Sequence, residues 1–151
     1  KLIEENIKNH IYILGIGEEK EKYEKYLTEN NLTDTFTFLG YRDNPYKYVK
    51  KADLYVCSSR REGFSTAVTE ALIVGTPVVS TNCSGAYELL GENNEYGIVT
   101  ENNEDALYEG IKKMLTKPDL REAYAVKEKE RGKAFSTEKT VKAVEEMLEN
   151  L

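Results

Sequence analysis

Histidine and cysteine are scarce in this chain, with one and two copies among 151 residues. His10 opens a predicted strand with no evident partner, so it reads as a spectator rather than a general base. Cys57 ends one predicted strand and Cys83 follows another. Neither stands in a CxxC or Cys/His spacing, so free thiols in a reducing, cytoplasmic setting are expected and no metal is. Positive charge is short as well. Lys and Arg number 21 against 27 Asp and Glu, a net charge of −6. That leaves no basic face for nucleic acid, and an anionic ligand would have to be held by local geometry. No apolar run approaches the ~20 residues that span a bilayer, and residue 1 opens no signal-peptide pattern. There is no internal repeat and no low-complexity tract. A third glycine is missing too. Leu14-Gly-Ile-Gly17 carries Lys20 where a dinucleotide fingerprint needs glycine, and Glu18 and Glu19 would oppose a phosphate at the helix that follows. Gly15 and Gly17 remain as a tight turn at a strand end.

What is present describes one α/β domain. Hydrophobic residues make up 40% and charged residues 32%, a globular balance at a length that supports one sizeable core. Residues 1–9 read as the tail of a helix, and residues 10–17 as the first strand, ending in Gly-x-Gly. A helix follows over about 18–30 with Tyr23, Tyr26 and Leu27 on one face. Residues 35–41 form the second strand, and Asn44-Pro45 opens a short helix over 46–51 whose tyrosines are expected to pack. The loop of Gly40, Tyr41, Arg42 and Asp43 lies at that strand's carboxyl end. Later come a strand over 96–100 and a helix over 103–116 with Leu107, Ile111, Met114 and Leu115 on one stripe. A strongly charged helix over 119–133 is expected to keep most of its surface in water. A final amphipathic helix starts at Ser136.

The chain is organised around residues 53–82. Asp53-Leu-Tyr-Val-Cys57 and Val78-Val-Ser-Thr-Asn82 read as buried parallel strands. Between them a turn leads into a helix from about Ser65 to Val74, capped by Ser65 or Thr66 and stopped by Gly75 and Pro77. In such a βαβ unit the loop lies where open α/β sheets bind ligands. The helix has no acid in its first turn, so its N-terminus suits an anion. Gly63 lets backbone approach a ligand closely. Arg60 and Arg61 stand just upstream, as solvated cations or as anion contacts. Glu62 and Glu70 bracket the turn, and a carboxylate accepts two hydroxyls, which suits a sugar or ribose diol. Ser84 and Gly85 stand at the next strand end, open to helix capping or to ligand contact.

The run Glu62-Gly-Phe-Ser-Thr-Ala-Val-Thr-Glu70 resembles the E-x7-E motif of group 1 (family 4) retaining glycosyltransferases of the GT-B fold. Leu14-Gly-Ile-Gly17, Phe38-Leu-Gly-Tyr41, Ala52-Asp-Leu-Tyr-Val-Cys-Ser-Ser59, Ser84-Gly-Ala-Tyr-Glu88 and Tyr96-Gly-Ile-Val99 follow in the family's order, covering about residues 10–116. The resemblance implies a Rossmann-like, mostly parallel five-stranded sheet with helices on both faces, one half of a GT-B enzyme. It implies donor binding over residues 1–151, with the acceptor half and a first strand, followed by an Arg and a Lys that grip the diphosphate, expected before residue 1. It places Glu62 near the donor sugar as the catalytic glutamate and Glu70 on the ribose. Gly63, Phe64, Ser65 and Thr66 fall at sugar and diphosphate, with Arg60, Gly15, Gly17, Tyr41, Arg42, Ser84 and Gly85 around the donor. Residues 40–43 would lie beside the nucleobase.

The expected reaction moves a sugar from a nucleotide diphosphate sugar, UDP-linked by preference, onto a glycan or lipid acceptor. It would need no metal and no further cofactor. The expected location is cytoplasmic, or the inner membrane face through the acceptor half. A nucleotide-sugar epimerase or phosphorylase on the same two-domain plan is an alternative, and so is a catalytically silent nucleotide-binding module. A signalling receiver domain would need an acceptor Asp at a strand's end, whereas Asp53 opens its strand.

Overall fold

The computed structural model describes residues 1–61 and 63–135. The chain divides into two compact units, one over residues 1–45 and one from Tyr46 onward.

The first unit opens with a single helical turn. Asn6 takes a left-handed φ of 58°, and the Ile7 N–H reaches back to the Leu2 carbonyl at 2.9 Å. This closure ends the turn at once, so the helix tail expected over residues 1–9 shortens to one turn. Strand β1 (Ile11–Leu14) is followed by α1 (Lys20–Glu29), a 3-10 turn (Thr33–Thr35) and strand β2 (Phe36–Gly40). The two strands pair in parallel, Ile11 opposite Phe36, with a register shift between Ile13 and Leu14. Only Leu27 of α1 is buried. Tyr23 and Tyr26 are about half exposed, contrary to the expected apolar face, and the Tyr23 hydroxyl donates to Glu19 at 2.9 Å. His10 meets the Thr37 hydroxyl at 2.8 Å on the surface, as a spectator would.

The second unit runs α2 (Tyr46–Val49), β3 (Tyr55–Cys57), α3 (Thr66–Val74), β4 (Val78–Thr81), α4 (Ala86–Leu90), β5 (Ile98–Thr100), α5 (Glu104–Thr116), α6 (Pro118–Gly132) and a 3-10 turn (Lys133–Phe135). Its sheet is parallel throughout, in the order β3-β4-β5. Central β4 is buried at every position, which is why it reads as a continuous apolar and small-residue run. Alternation along it divides the core. Val78 packs with Val68, Ala71 and Leu72 of α3 and with Leu89 and Leu90 of α4, while Val79 packs with Ile98 and Met114 of α5. Leu107, Ile111 and Tyr124 flank the second cluster.

One expectation changes here. The five strands of the described residues form two sheets rather than one, because β1 pairs with β2 and β3 with β4. Helix α6 keeps most of its residues exposed, as expected of so charged a helix, and its remaining face is packed. It packs on α3 and α5, and Gly132 is its closest approach: a Cβ there would lie 2.5 Å from the Leu72 carbonyl oxygen. Glu128 of α6 is fully buried, and its Oε1 accepts the Val78 N–H at 2.8 Å. The helix expected from Ser136 lies outside the described residues.

Candidate functional site

Helix α3 is built for a defined start. Ser65 is extended, with φ −73° and ψ 104°, and its Oγ accepts the Val68 N–H at 3.4 Å, making it the N-cap. The Thr69 hydroxyl donates to the Ser65 carbonyl at 3.0 Å and holds the same turn. Gly75 closes the far end in a left-handed conformation, with the Thr76 N–H on the Ala71 carbonyl at 3.0 Å. Of the first-turn amides, Val68 is satisfied by the cap, while Thr66 and Ala67 precede any intrahelical acceptor. No acid stands in that turn. The result is a positive helix end facing the carboxyl side of the sheet.

The three strand ends of this unit are tied together around that helix start. The Thr81 hydroxyl, at the end of β4, donates to the Ser59 carbonyl at 2.6 Å. Asn102, just past β5, donates through Nδ2 to the Arg60 carbonyl at 3.0 Å. Gly85 has φ +81°, and a Cβ there would come within 3.1 Å of the Gly63 carbonyl oxygen and 3.5 Å of the Phe64 Cα. The turns after β3 and β4 therefore approach through backbone, and the left-handed φ with this close contact favours glycine at residue 85. Helix α4 has no side-chain cap, so Ser84 does not cap it and stands exposed. Gly63 has open space where a side chain would be, and Phe64 is 49% exposed.

Glu70 lies one turn into α3, and the Tyr46 hydroxyl donates to its Oε1 at 3.3 Å. The same carboxylate raises the Tyr46 phenol above its ordinary pKa, chiefly by its charge and then by the hydrogen bond. Tyr46 was expected to pack, but α2 presents it half exposed beside Glu70. The Pro45-Tyr46 helix start offered no signal of that contact. Arg60 and Arg61 are exposed at the same strand end. Glu62 lies outside the described residues.

The structure thus brings together Arg60, Gly63, Phe64, Ser65, Thr66, Glu70, Ser84 and Gly85 on the second unit. The remaining candidates belong to the first. Gly15, with φ 110°, donates its N–H to the Gly40 carbonyl at 2.9 Å, which joins the turns at the carboxyl ends of β1 and β2. Gly17, Tyr41 and Arg42 are exposed there. A groove of about 560 Å³ lies elsewhere, along β5 and α5 between Ile98, Gly110 and Lys113, and includes none of the candidates. Among the described residues no group of three His, Cys, Asp or Glu is placed to hold a metal ion. No helix among them is long and apolar enough to cross a membrane.

Parallel strands alternating with helices, with glycine turns at the strands' carboxyl ends, define a Rossmann-like α/β protein. The chain belongs to the group 1 glycosyltransferases, whose family model matches residues 1–131. It is 40% identical over 127 residues to the N-acetylgalactosamine-N,N'-diacetylbacillosaminyl-diphospho-undecaprenol 4-alpha-N-acetylgalactosaminyltransferase of Campylobacter jejuni, covering 83% of this chain and 34% of that protein. Among solved structures it is similar to a variant of S. aureus TarM in complex with Fondaparinux, alpha-GlcNAc-glycerol and UDP. That match has a TM-score of 0.82 and 25% identity, and covers 93% of this chain and 29% of the other. Anabaena HepE in complex with UDP-glucose shares the fold, at a TM-score of 0.80 and 23% identity over 94% of this chain and 41% of that one. The fold is that of GT-B glycosyltransferases. The chain spans 15–40% of the length of the curated relatives it is similar to.

Proposed function

We propose that this chain binds the donor in a retaining glycosyltransferase that transfers a sugar from a UDP-sugar to a lipid-linked or polymeric glycan acceptor. The observation that carries the reading is the position of the Glu70 carboxylate, one turn behind the open N-terminus of α3. A diphosphate at the Thr66 and Ala67 amides would set the attached ribose toward Glu70, whose free lone pairs accept the two ribose hydroxyls. The sugar would lie over the turn at Gly63 and Phe64, where Glu62 stands in sequence and contacts its hydroxyls. As the glycosidic bond breaks, negative charge grows on the leaving diphosphate. The helix dipole, with Arg60 and Arg61 beside it, stabilises that charge without a metal.

The relatives support the donor and the stereochemistry. The C. jejuni protein's name specifies an alpha-linked product on a diphospho-undecaprenol carrier, and a similar Bacillus subtilis protein is a poly(glycerol-phosphate) alpha-glucosyltransferase. An α-link made from an α-linked UDP-sugar retains configuration. Similar structures hold UDP or UDP-glucose. The test is to incubate the intact protein with a panel of UDP-, GDP- and ADP-sugars and an undecaprenyl-diphosphate glycan, and to read the product's anomeric configuration. An α-linked product from a UDP-sugar is expected. An epimerised nucleotide sugar, a sugar phosphate or no turnover of any donor contradicts the reading.

A further inference from the structure

Both turns of the candidate site are braced from behind by residues with no place in the donor contacts. Arg131, in the last turn of α6, has its guanidinium carbon 5.1 Å from the ring centroids of both Tyr96 and Phe135. Its Nη2 donates to the Glu88 carbonyl at 2.6 Å and its Nε to the Leu89 carbonyl at 3.2 Å. Those carbonyls lie in the last turn of α4, where a cation complements the helix dipole. The other end of α4 is Gly85, whose backbone rests on Gly63. Phe135 packs against the core cluster and stands edge-on to Phe64, with ring centroids 6.0 Å apart and an interplanar angle of 62°. A single cation between two rings therefore reaches the turn after β4 through α4, and the turn after β3 through Phe135 and Phe64.

We propose that Arg131 and Phe135 are positioning residues that hold the Gly63–Thr66 turn in its donor-binding shape. The proposal rests on the donor reading above for its consequence, but the bracing is a property of the turn itself. Ser65 is buried and Gly85 approaches the Gly63 carbonyl, but Gly63 has open space at its Cβ position and Phe64 is half exposed, so the Phe64 ring is the turn's side-chain handle. The Ser65 cap holds the helix side of the turn, and the edge-to-face contact of Phe64 with Phe135, itself under a cation, restrains its Phe64 side. A turn already in its binding shape loses less freedom when ligand arrives.

The test uses the intact protein with Phe135→Ala, Phe135→Leu and Phe135→Tyr. Affinity for UDP and UDP-glucose is read by calorimetry well below each variant's melting temperature, and amide exchange is followed at residues 63–66 and 78–81. Phe135→Ala should weaken UDP-glucose about tenfold, the scale of one aromatic contact, and speed exchange at 63–66 while 78–81 stays protected. Phe135→Tyr, which keeps the ring, should restore both. If the alanine variant does not fold, Phe135→Leu carries the same expectation. Wild-type affinity and exchange in the truncated variants would overturn the proposal, as would acceleration shared equally with 78–81. If the wild type binds neither ligand while truncation still frees 63–66, the donor reading fails and the bracing stands.

Discussion

Glu128 carries no charge at neutral pH in the folded chain. Burial pushes its carboxyl up to about 9, against an ordinary value of 4.5, and the Val78 N–H only partly offsets that. Its Oε2 is buried with no hydrogen-bond partner. Between pH 4.5 and 9 the folded state binds a proton that the unfolded state has lost. Stability is therefore full below this window and falls as pH rises through it, by at most ~1.4 kcal/mol per unit. Glu128→Gln should remove the dependence. Denaturant unfolding should find the variant more stable than wild type at pH 8, with the gap closing toward pH 5; a gap that widens at low pH would refute the assignment. Glu62 makes a second prediction at this scale. If it contacts the sugar, Glu62→Gln should depress turnover of the donor sugar far more than affinity for bare UDP. Equal losses in both would remove it from the sugar subsite.

At the scale of elements, α3 was legible and α6 was not, for a definite reason. Ser65, Gly75 and Pro77 are local punctuation, and each acts where backbone geometry demands it. The inward stripe of α6 is Leu120, Arg121, Tyr124, Ala125, Glu128, Arg131 and Gly132, at helical spacing but with Leu120 as its one large aliphatic residue. Val126 is 69% exposed, while Glu128 is fully buried. Nothing in hydrophobic patterning marks a helix whose buried face works through a backbone contact, a guanidinium and a glycine. The glycine makes this testable. Gly132→Ala would drive a methyl to 2.5 Å from the Leu72 carbonyl oxygen and 2.6 Å from the Ile73 Cα, both backbone of α3. The two helices must separate, at a cost of ~1–3 kcal/mol in unfolding free energy. Gly17→Ala, which meets nothing within 4 Å, should cost far less. Equal effects would mean that α6 does not pack closely on α3.

At the scale of the whole molecule, the strand content and the parallel sense were readable because each strand is a short apolar run between turn residues. The pairing of strands was not, since contact between distant segments leaves no local mark, and one expected sheet proved to be two. The same limit hid Tyr46 beside Glu70 and Phe135 beside Phe64, pairs 24 and 71 residues apart in sequence. The two units differ in how much they bury: β4 is buried throughout, whereas Ile11, Tyr12 and Ile13 of β1 are each more than a third exposed. Amide exchange should accordingly be faster in β1 and β2 than in β4. Uniform protection across all three strands would contradict that difference.

The central claim is that the turn and helix after β3 form the nucleotide-sugar site, and titration of UDP into the intact protein and its Glu70→Ala variant tests it most directly. A charge-assisted hydrogen bond is worth roughly 1.5–3 kcal/mol, so the variant should bind UDP about tenfold to a hundredfold more weakly while keeping its fold. Unchanged UDP affinity in the folded variant would contradict the account.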